Sequence, residues 1–113
     1  MTQNDRENRR EHYRIIYPVS CRPKLVINNK QYEVIDISEK GVRFLHQGTC
    51  TLQPGSETRI KITFHNGVSL DIKCKVLRFN DTAAILSLLQ DIPFEIIIEE
   101  QRYIKKSFPD LNR

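Results

Sequence analysis

The chain has 113 residues, of which 39% are hydrophobic and 28% are charged. This balance is typical of one globular domain and excludes a disordered chain, and the length leaves no room for a separate catalytic module beside a core. The net charge of +4 favours anionic partners but is too small to predict a long nucleic-acid track. No apolar run approaches the roughly 18 residues of a membrane helix, and the polar start is unlike a signal peptide, so we expect a cytoplasmic protein that does not contact a membrane.

Residues 1–12 are polar, show no periodicity and offer little that a core would bury. We therefore expect a flexible basic segment at the N-terminus. The basic residues that gather in the first fifth of the chain are Arg6, Arg9, Arg10, Arg14, Arg22 and Lys24. A compact positive patch of this kind suits a compact anion.

Alternating apolar residues from Tyr13 onward predict a series of short strands in the first half of the chain. The predicted strands cover Tyr13–Cys21, Lys24–Ile27, Tyr32–Ile37 and Val42–His46. Asn28-Asn29-Lys30 has the chemistry of a short hairpin turn between the second and third strands. The turn Asp36-Ile37-Ser38-Glu39-Lys40-Gly41 leads into the fourth strand, and Gly41 is expected to take a positive φ there.

The second half of the chain continues the strands and then changes period. Strands are predicted at Thr58–Phe64, Val68–Phe79 and Ala83–Leu89, and His65-Asn66-Gly67 predicts a hairpin turn between the first two. The continuous apolar character of the last strand is typical of a strand that is covered on both sides. A helix is predicted from Pro93 to Pro109, with an apolar stripe of Phe94, Ile97, Ile98, Gln101, Ile104 and Phe108. Ile96 and Tyr103 lie beside this stripe and are interpreted as edge contacts, with a surface for self-association or for a partner as the alternative.

These elements predict a mainly β fold, a small antiparallel β-barrel with a C-terminal α-helix over residues 13–108, followed by a tail at 109–113. The cysteines have no C-x-x-C spacing, so neither a disulfide framework nor a metal site is indicated. Of Cys21, Cys50 and Cys74, the first and last lie in apolar patterns and are expected to be buried and reduced. The scattered histidines, His12, His46 and His65, are interpreted as surface or turn residues.

Two clusters of residues point to a ligand. Arg9-Arg10-Glu11-His12-Tyr13-Arg14 brings together arginines, whose planar forks bind a phosphate or the O6/N7 edge of guanine bidentately and also stack on bases. Asp36 and Ser38 supply acceptors and a hydroxyl on a tight bend. Each cluster also has a plainer interpretation, because an arginine-rich stretch near a terminus is often only solvated and an Asp-x-Ser turn often bonds only its own backbone.

Together and in this order, the clusters resemble the two signatures of the PilZ family, Arg-x-x-x-Arg and Asp/Asn-x-Ser-x-x-Gly. Arg10 and Arg14 fit the first signature, and Asp36, Ser38 and Gly41 fit the second. The resemblance extends over nearly the whole chain and implies a small β-barrel that binds the bacterial second messenger cyclic di-GMP. It also implies an adaptor, which changes its contacts with an unidentified protein partner and so controls motility, biofilm formation or virulence.

The resemblance assigns a role to each residue of the two motifs. The arginines would bind phosphate and guanine, and the turn would form the opposing wall. In the family, an arginine directly before the first motif goes with an intercalated ligand dimer, and Arg9 has that position. Residues 1–12 would then close over the ligand and become ordered. The expected ligand-binding residues are Arg9, Arg10, Arg14, Asp36, Ser38 and Gly41.

Two features of many relatives are absent from this sequence. Those relatives have a tryptophan late in the barrel, whereas this chain has no tryptophan and carries Arg78 or Phe79 in that region. A glycine-rich approach to the last strand is replaced by Asn80-Asp81-Thr82-Ala83-Ala84. One stacking surface for the ligand is therefore expected to differ.

Other functions are weighed against this one. No Ser/His/Asp or Cys/His constellation, phosphate loop or carboxylate pair indicates an enzyme, and no cofactor is expected. A small basic barrel that binds single-stranded nucleic acid is an alternative. Such a barrel would need aromatic residues between basic ones, whereas the aromatic residues here mostly occupy the strand positions that face the core. A barrel that acts only through protein contacts is the third possibility, and the complete motifs argue against it.

Overall fold

The computed structural model describes residues 14–46, 48 and 52–109. Its strands are β1 (Ile15–Ile16), β2 (Lys24–Ile27), β3 (Lys30–Ile37), β4 (Gly41–Leu45), β5 (Glu57–Thr63), β6 (Ser69–Phe79) and β7 (Ala83–Leu88), and its helix is α1 (Phe94–Ser107). The predictions for residues 1–12, for Cys50 and for residues 110–113 lie outside the described residues. Among the residues described, no helix has the length and apolar character needed to cross a membrane.

Six of the strands seen in the described residues close into an antiparallel barrel. The order around the barrel is β3, β2, β5, β6, β7 and β4, and β4 pairs back with β3. The predicted fold, a mainly β antiparallel barrel with one C-terminal helix, is therefore confirmed. The buried apolar side chains of the strands and of α1 form one core inside it.

The short strand β1 brings the first motif to the second. One edge of β3 is shared, because its first half pairs with β2 whereas its second half pairs with β1. In the β1 pairing, Ile15 lies opposite Ile37 and Ile16 lies opposite Asp36. Arg14 comes directly before β1 and so lies at the end of β3, beside the turn that follows it.

The prediction of one long first strand to Cys21 is wrong. The ladder continues as far as the Tyr17 amide, which donates to the Ile35 carbonyl at 3.0 Å. Pro18 follows, and proline has no N–H with which to continue a ladder. The chain instead forms a single 3-10 turn over Val19–Cys21, in which the Cys21 amide donates to the Pro18 carbonyl at 3.0 Å. Val19 is consequently 74% exposed, although its alternation with Ile15 and Tyr17 in the predicted strand placed it in the core.

Helix α1 covers the barrel with part of the predicted stripe. Ile97 and Ile104 are buried, and Ile96 and Tyr103 pack at the edge of the core, as predicted. Phe94, which was also assigned to the stripe, is 53% exposed, because it is the first residue of the helix and projects beyond the barrel wall.

Glu100 is a buried residue that the sequence analysis did not identify. It lies three residues after Ile97 and four before Ile104, so the helical period places it on the core face, where it is 1% exposed. The Tyr17 hydroxyl donates to its Oε1 at 2.6 Å, and His65 Nδ1 bonds to its Oε2. The His65 ring in turn stacks on Tyr103, with 4.0 Å between ring centroids. Both carboxylate oxygens of Glu100 therefore have partners inside the protein.

The two cysteines in the described residues are free thiols. Cys74 is buried, as predicted, and burial raises the pKa of its thiol to about 11. Cys21 is only half-buried, because the 3-10 turn holds it at the margin of the core, and burial with the nearby Glu100 charge raises its pKa. Neither thiol has the lowered pKa of a reactive cysteine.

Candidate ligand-binding site

The turn between β3 and β4 is held by the backbone on both sides. The Ser38 amide donates to the Gly41 carbonyl at 2.9 Å, which closes the bend. The Leu88 amide donates to the Lys40 carbonyl at 2.9 Å, and the Ile92 amide donates to the Glu39 carbonyl at 2.8 Å. The segment after β7 therefore fixes the turn in one position.

Gly41 does not take the positive φ that the sequence analysis predicted. It is the first residue of β4 and pairs with Ser87 in extended backbone. A Cβ atom at this position would lie 3.4 Å from the Leu86 carbonyl oxygen and 3.6 Å from Ser38 Oγ. Both distances are ordinary van der Waals contacts, so the fold itself requires neither the small size nor the conformational freedom of glycine at this position.

Asp36 is a carboxylate at the barrel wall, and it is 4% exposed. Its partner is Arg43 on the neighbouring strand, where the two residues lie opposite each other in the β3–β4 register. Arg43 Nε donates to Asp36 Oδ2 at 2.9 Å, and Nη2 lies 2.6 Å from the same oxygen. Among the described residues, Oδ1 has no hydrogen-bond partner. One oxygen of the carboxylate is therefore fixed and the other is left for a further contact.

A cavity of about 290 Å³ lies over this pair on the outside of the barrel. It brings together the four predicted site residues that the structure describes, which come from both motifs. Its lining consists of Arg14, Asp36, Ser38, Gly41, Val42, Arg43, Arg78 and Ile85. Arg9 and Arg10, the other two predicted site residues, lie outside the described residues.

A second cavity, of about 310 Å³, continues the first along the barrel wall. Arg43, Arg78 and Ile85 line both cavities, and Asn80 and Ala83 complete the second. We call the two cavities together the groove. Its floor follows one row of the sheet, because Arg43 lies opposite Ile85 and Arg78 also lies opposite Ile85 on the other side.

Arg78 reaches the groove because β6 contains a bulge. The register shifts between Val76 and Arg78, so that Val76 pairs with Leu86 while Arg78 pairs with Ile85. Strict alternation from Cys74 and Val76, which are both buried, would turn Arg78 toward the core. The extra residue, Leu77, restores the outward direction, and Arg78 is exposed. From the sequence, either Arg78 or Phe79 was expected in the region of the missing tryptophan, and the direction of the Arg78 side chain could not be predicted.

Arg43 and Ile85, which like Arg78 line both cavities, were not among the predicted site residues, although the sequence pattern contained a signal for Arg43. Arg43 lies between Val42 and Phe44, which are buried, so alternation predicts that it faces outward on the side of Gly41. Ile85 was assigned to a strand covered on both sides. The structure corrects that prediction, because Ala84, Leu86 and Leu88 are buried whereas the outward residues of the strand are only half-buried. Of these outward residues, Ala83 and Ile85 line the groove.

The groove offers donors and acceptors to a ligand but no metal site. Arginine guanidinium groups supply positive charge and forked donors, and the turn supplies the Asp36 carboxylate and the Ser38 hydroxyl. No group of histidines, cysteines or acidic residues in the described ranges can hold a metal ion. Aromatic residues whose side chains the structure describes do not line the groove, and Tyr17, Phe44 and Phe64 are buried in the core. The arrangement suits a compact anion that also carries hydrogen-bond donors.

Comparisons with known proteins agree with this description. The PilZ domain model matches residues 8–104. No curated protein matches the chain.

Three solved structures share the fold. An uncharacterized protein of Legionella has a TM-score of 0.60 at 20% identity, with 83% of this chain and 98% of that chain covered. The inhibitor of motility MotI/DgrA of Bacillus subtilis also has a TM-score of 0.60, at 15% identity, with 85% and 50% covered. The PlzA protein of Borreliella burgdorferi in complex with c-di-GMP has a TM-score of 0.55 at 12% identity, with 97% and 57% covered. This chain thus spans about half the length of the last two proteins.

Proposed function

This chain belongs to the PilZ domain family, and we propose that it is a receptor for cyclic di-GMP. The observation that carries the proposal is the meeting of the two motifs in one groove, where Arg14 lines the same cavity as Asp36 and Ser38. The likeness of the fold to PlzA, which was solved in complex with c-di-GMP, supports the same ligand class.

The chemistry of cyclic di-GMP matches the groups in the groove. The ligand presents two phosphates and two guanines, so a receptor has to balance negative charge and also read base edges. Arg14, with Arg9 and Arg10 from the preceding segment, supplies charged forks for phosphate or for guanine O6 and N7. The free Oδ1 of Asp36 accepts from the N1 and N2 donors of a guanine, and the Ser38 hydroxyl bonds a base edge or a phosphate. Arg9 extends the proposal to an intercalated ligand dimer.

We further propose that the protein acts as an adaptor and not as an enzyme. Ligand binding at residues 9–14 changes the surface beside β1, and a protein partner reads that change. The partner and the process it controls, whether motility, biofilm formation or virulence, are not identified by the groove. The expected cytoplasmic location stays a prediction.

Isothermal titration with cyclic di-GMP, GTP and cyclic di-AMP tests the proposal. We expect saturable binding of cyclic di-GMP and binding of the other two that is at least about a hundredfold weaker. Cyclic di-AMP has no guanine edge, for which an arginine fork discriminates by about 1 to 3 kcal/mol per base, and GTP offers one guanine where cyclic di-GMP offers two. A stoichiometry of two ligands per chain is expected for the intercalated dimer. Equal affinity for all three nucleotides, or no heat with any of them, would contradict the proposal.

Titration of the protein with a single-stranded oligonucleotide tests the nucleic-acid alternative. The described aromatic residues of the core are not available for base stacking, and stacking supplies about 1 to 3 kcal/mol per base in such proteins. We therefore expect oligonucleotide binding to be weak and to vanish at moderate salt. Tight, salt-resistant binding of the oligonucleotide would favour the alternative.

A further inference from the structure

The two cavities of the groove differ in the kind of hydrogen bond that they offer. The first contains acceptors, because the Asp36 carboxylate and the Ser38 hydroxyl line it. The second contains no carboxylate and has Arg78 and Asn80 as its polar lining besides Arg43. Arg43 and Arg78 line both cavities, and Arg43 is already bound to Asp36. We therefore call the first cavity, which contains a carboxylate beside its arginines, the acceptor half of the groove, and the second cavity the donor half.

Arg78 is the available cation of the donor half. It has no ion-pair or hydrogen-bond partner among the described residues, whereas Arg43 in the same row is neutralised by Asp36. The bulge at Leu77 holds the Arg78 backbone opposite Ile85, with the side chain on the outer face. A guanidinium held in this way keeps all its donors for a ligand.

Asn80 contributes donors because the turn already uses its acceptor. Its Oδ1 accepts from the Thr82 amide at 2.8 Å, from the Thr82 hydroxyl at 3.2 Å and from the Ala83 amide at 2.9 Å. These bonds leave the Nδ2 group, which has no partner among the described residues. The part of Asn80 that remains for the groove is therefore an NH₂ donor.

The buried histidine His46 makes this turn rigid. The sequence analysis interpreted His46 as a surface or turn residue, but it is 4% exposed because its ring lies beneath the turn after β6. The Gly48 amide donates to Nδ1 at 2.9 Å, so Nδ1 is an acceptor and Nε2 carries the proton. Nε2 then donates to the Asn80 carbonyl at 2.6 Å. The hydrogen bond from His46 thus fixes the backbone of Asn80 before any ligand binds.

We propose that Arg78 and Asn80 form a second subsite for an acceptor-only edge of the ligand, next to the subsite at the two motifs. A pair of phosphate oxygens and the O6/N7 edge of guanine both have this chemistry. The inference rests on the proposed function. It adds that the acceptor half and the donor half hold different groups of the same nucleotide, so that discrimination depends on residues beyond both motifs.

Matched substitutions test the subsite by titration with cyclic di-GMP at one salt concentration. Arg78→Met removes the fork but keeps the length of the side chain, and Lys75→Met is its control. Lys75 is exposed on the same strand, lies opposite Ser87 and lines neither cavity. We expect Arg78→Met to bind about ten- to a hundredfold more weakly and Lys75→Met to stay within about threefold of the unmodified chain.

A second pair of variants tests Asn80 without removing its role in the turn. Asn80→Asp keeps Oδ1 for Thr82 and Ala83 but replaces the NH₂ donor with an acceptor. Asn66→Asp is the control, because Asn66 Oδ1 similarly accepts from the Val68 amide at 3.1 Å in the β5–β6 hairpin, outside the groove. We expect about tenfold weaker binding for Asn80→Asp and little change for Asn66→Asp. Thermal melts check that both variants fold.

Arg78→Lys separates the two sources of the acceptor edge. Lysine keeps the charge but loses the planar fork, so near-normal affinity points to phosphate, and a loss as large as that of Arg78→Met points to guanine. The subsite is refuted if Arg78→Met and Asn80→Asp bind as well as their controls while Arg14→Ala loses binding, a result that would leave the proposed function intact. Absence of binding by the unmodified chain refutes both.

Discussion

Two carboxylates, Asp36 and Glu100, are buried to nearly the same degree but occupy different settings. Glu100, at 1% exposure, has both oxygens bonded, one to Tyr17 and the other to His65. Asp36, at 4%, uses a single oxygen for Arg43 and leaves the other without a partner among the described residues. Burial of a charge is costly unless it is compensated. Glu100 is compensated entirely within the fold, whereas Asp36 is compensated only in part.

This difference separates a structural residue from a binding residue. The Glu100 cluster joins α1 to the segment after β1 and to the β5–β6 hairpin, three parts of the chain that share no strand pairing with one another. Asp36 lies in a paired strand and contributes little that the ladder does not already fix. Removal of Glu100 should therefore affect stability, and removal of Asp36 should affect ligand binding.

The largest effect is expected from Glu100→Ala. The change leaves the Tyr17 hydroxyl and His65 without their acceptor and opens space in the core, so we expect a loss of about 3 to 5 kcal/mol in the free energy of unfolding. Denaturant unfolding measures the loss, and titration at low temperature should show normal affinity in the folded fraction. Glu99→Ala on the exposed side of α1 is the control. A stable Glu100→Ala protein with impaired binding would reverse the assignment.

Arg14→Ala tests the ligand-binding groove in the way that Glu100→Ala tests the structural residues. Arg14 is exposed and lines the first cavity, so its removal should leave the melting temperature unchanged while binding weakens by about ten- to a hundredfold. Arg10→Ala is expected to behave in the same way, on the basis of the motif alone. Arg102, which is exposed on α1 and lines neither cavity, supplies the control Arg102→Ala. Unchanged affinity in Arg14→Ala would remove the first motif from the site.

Asp36→Ala is expected to have an intermediate effect of the same kind. Arg43 is 39% exposed at its side chain and can turn to water when its partner is removed, so the cost in stability should be about 1 kcal/mol. The acceptor for guanine N1 and N2 is lost, and affinity should fall by about tenfold. Unfolding and titration on the same sample give both numbers. A loss of stability as large as that of Glu100→Ala would show that Asp36 is structural.

The comparison also explains what could be read from the sequence. The turn at Asp36–Gly41 was predictable because short-range patterns determine hairpin turns. Arg14 lies beside that turn through the pairing of β1 with β3, which joins residues distant in sequence and was expected only from the resemblance of the two motifs. The end of β1 at Pro18 was in the sequence too, but the alternation of Ile15 and Tyr17 into Val19 obscured it. Glu100 was missed because glutamate is seldom buried, and only the tertiary partners of this residue make its burial possible.

Two further features depend on contacts between distant parts of the chain. The outward direction of Arg78 results from the bulge at Leu77, which no local pattern marks. The burial of His46 results from bonds to Gly48 and to Asn80, which lies 34 residues further along the chain. Periodicity locates strands well, but it cannot locate a bulge, and it cannot identify a polar residue whose partners are remote in sequence.

Gly41→Ala is expected to have a small effect on stability and a measurable effect on binding. Because φ is not positive at Gly41, the new methyl group causes no backbone strain and meets only the Leu86 carbonyl oxygen and Ser38 Oγ. We expect a change of less than about 1 kcal/mol in unfolding, with affinity lowered several-fold because the methyl group takes space in the cavity that Gly41 lines. Gly67→Ala, at a φ of 87° in the β5–β6 hairpin, is the opposite control and should lose stability without losing affinity.

The smallest expected effect is an alkaline loss of stability that arises from the Glu100 cluster and not from the groove. Burial raises the pKa of the Tyr17 hydroxyl, and its hydrogen bond to Glu100 and the charge of Glu100 raise it further. Since the folded pKa lies above the unfolded value, this contribution to stability is complete below pH 10 and is lost as the pH rises further. Between pH 8 and pH 10.5 the unfolded tyrosine ionises while the folded one does not, which lowers the free energy of unfolding by about 0.8 kcal/mol.

Tyr17→Phe lacks this hydroxyl and tests the effect. Over the same pH range, its free energy of unfolding should fall by about 0.8 kcal/mol less than that of the unmodified chain, because the other titrating groups are the same in both proteins. Parallel pH dependence of the two proteins would show that the Tyr17 hydroxyl is not buried and bonded to Glu100 as the structure has it. Glu100 would then lack one of its two internal partners, and its contrast with Asp36 would no longer hold.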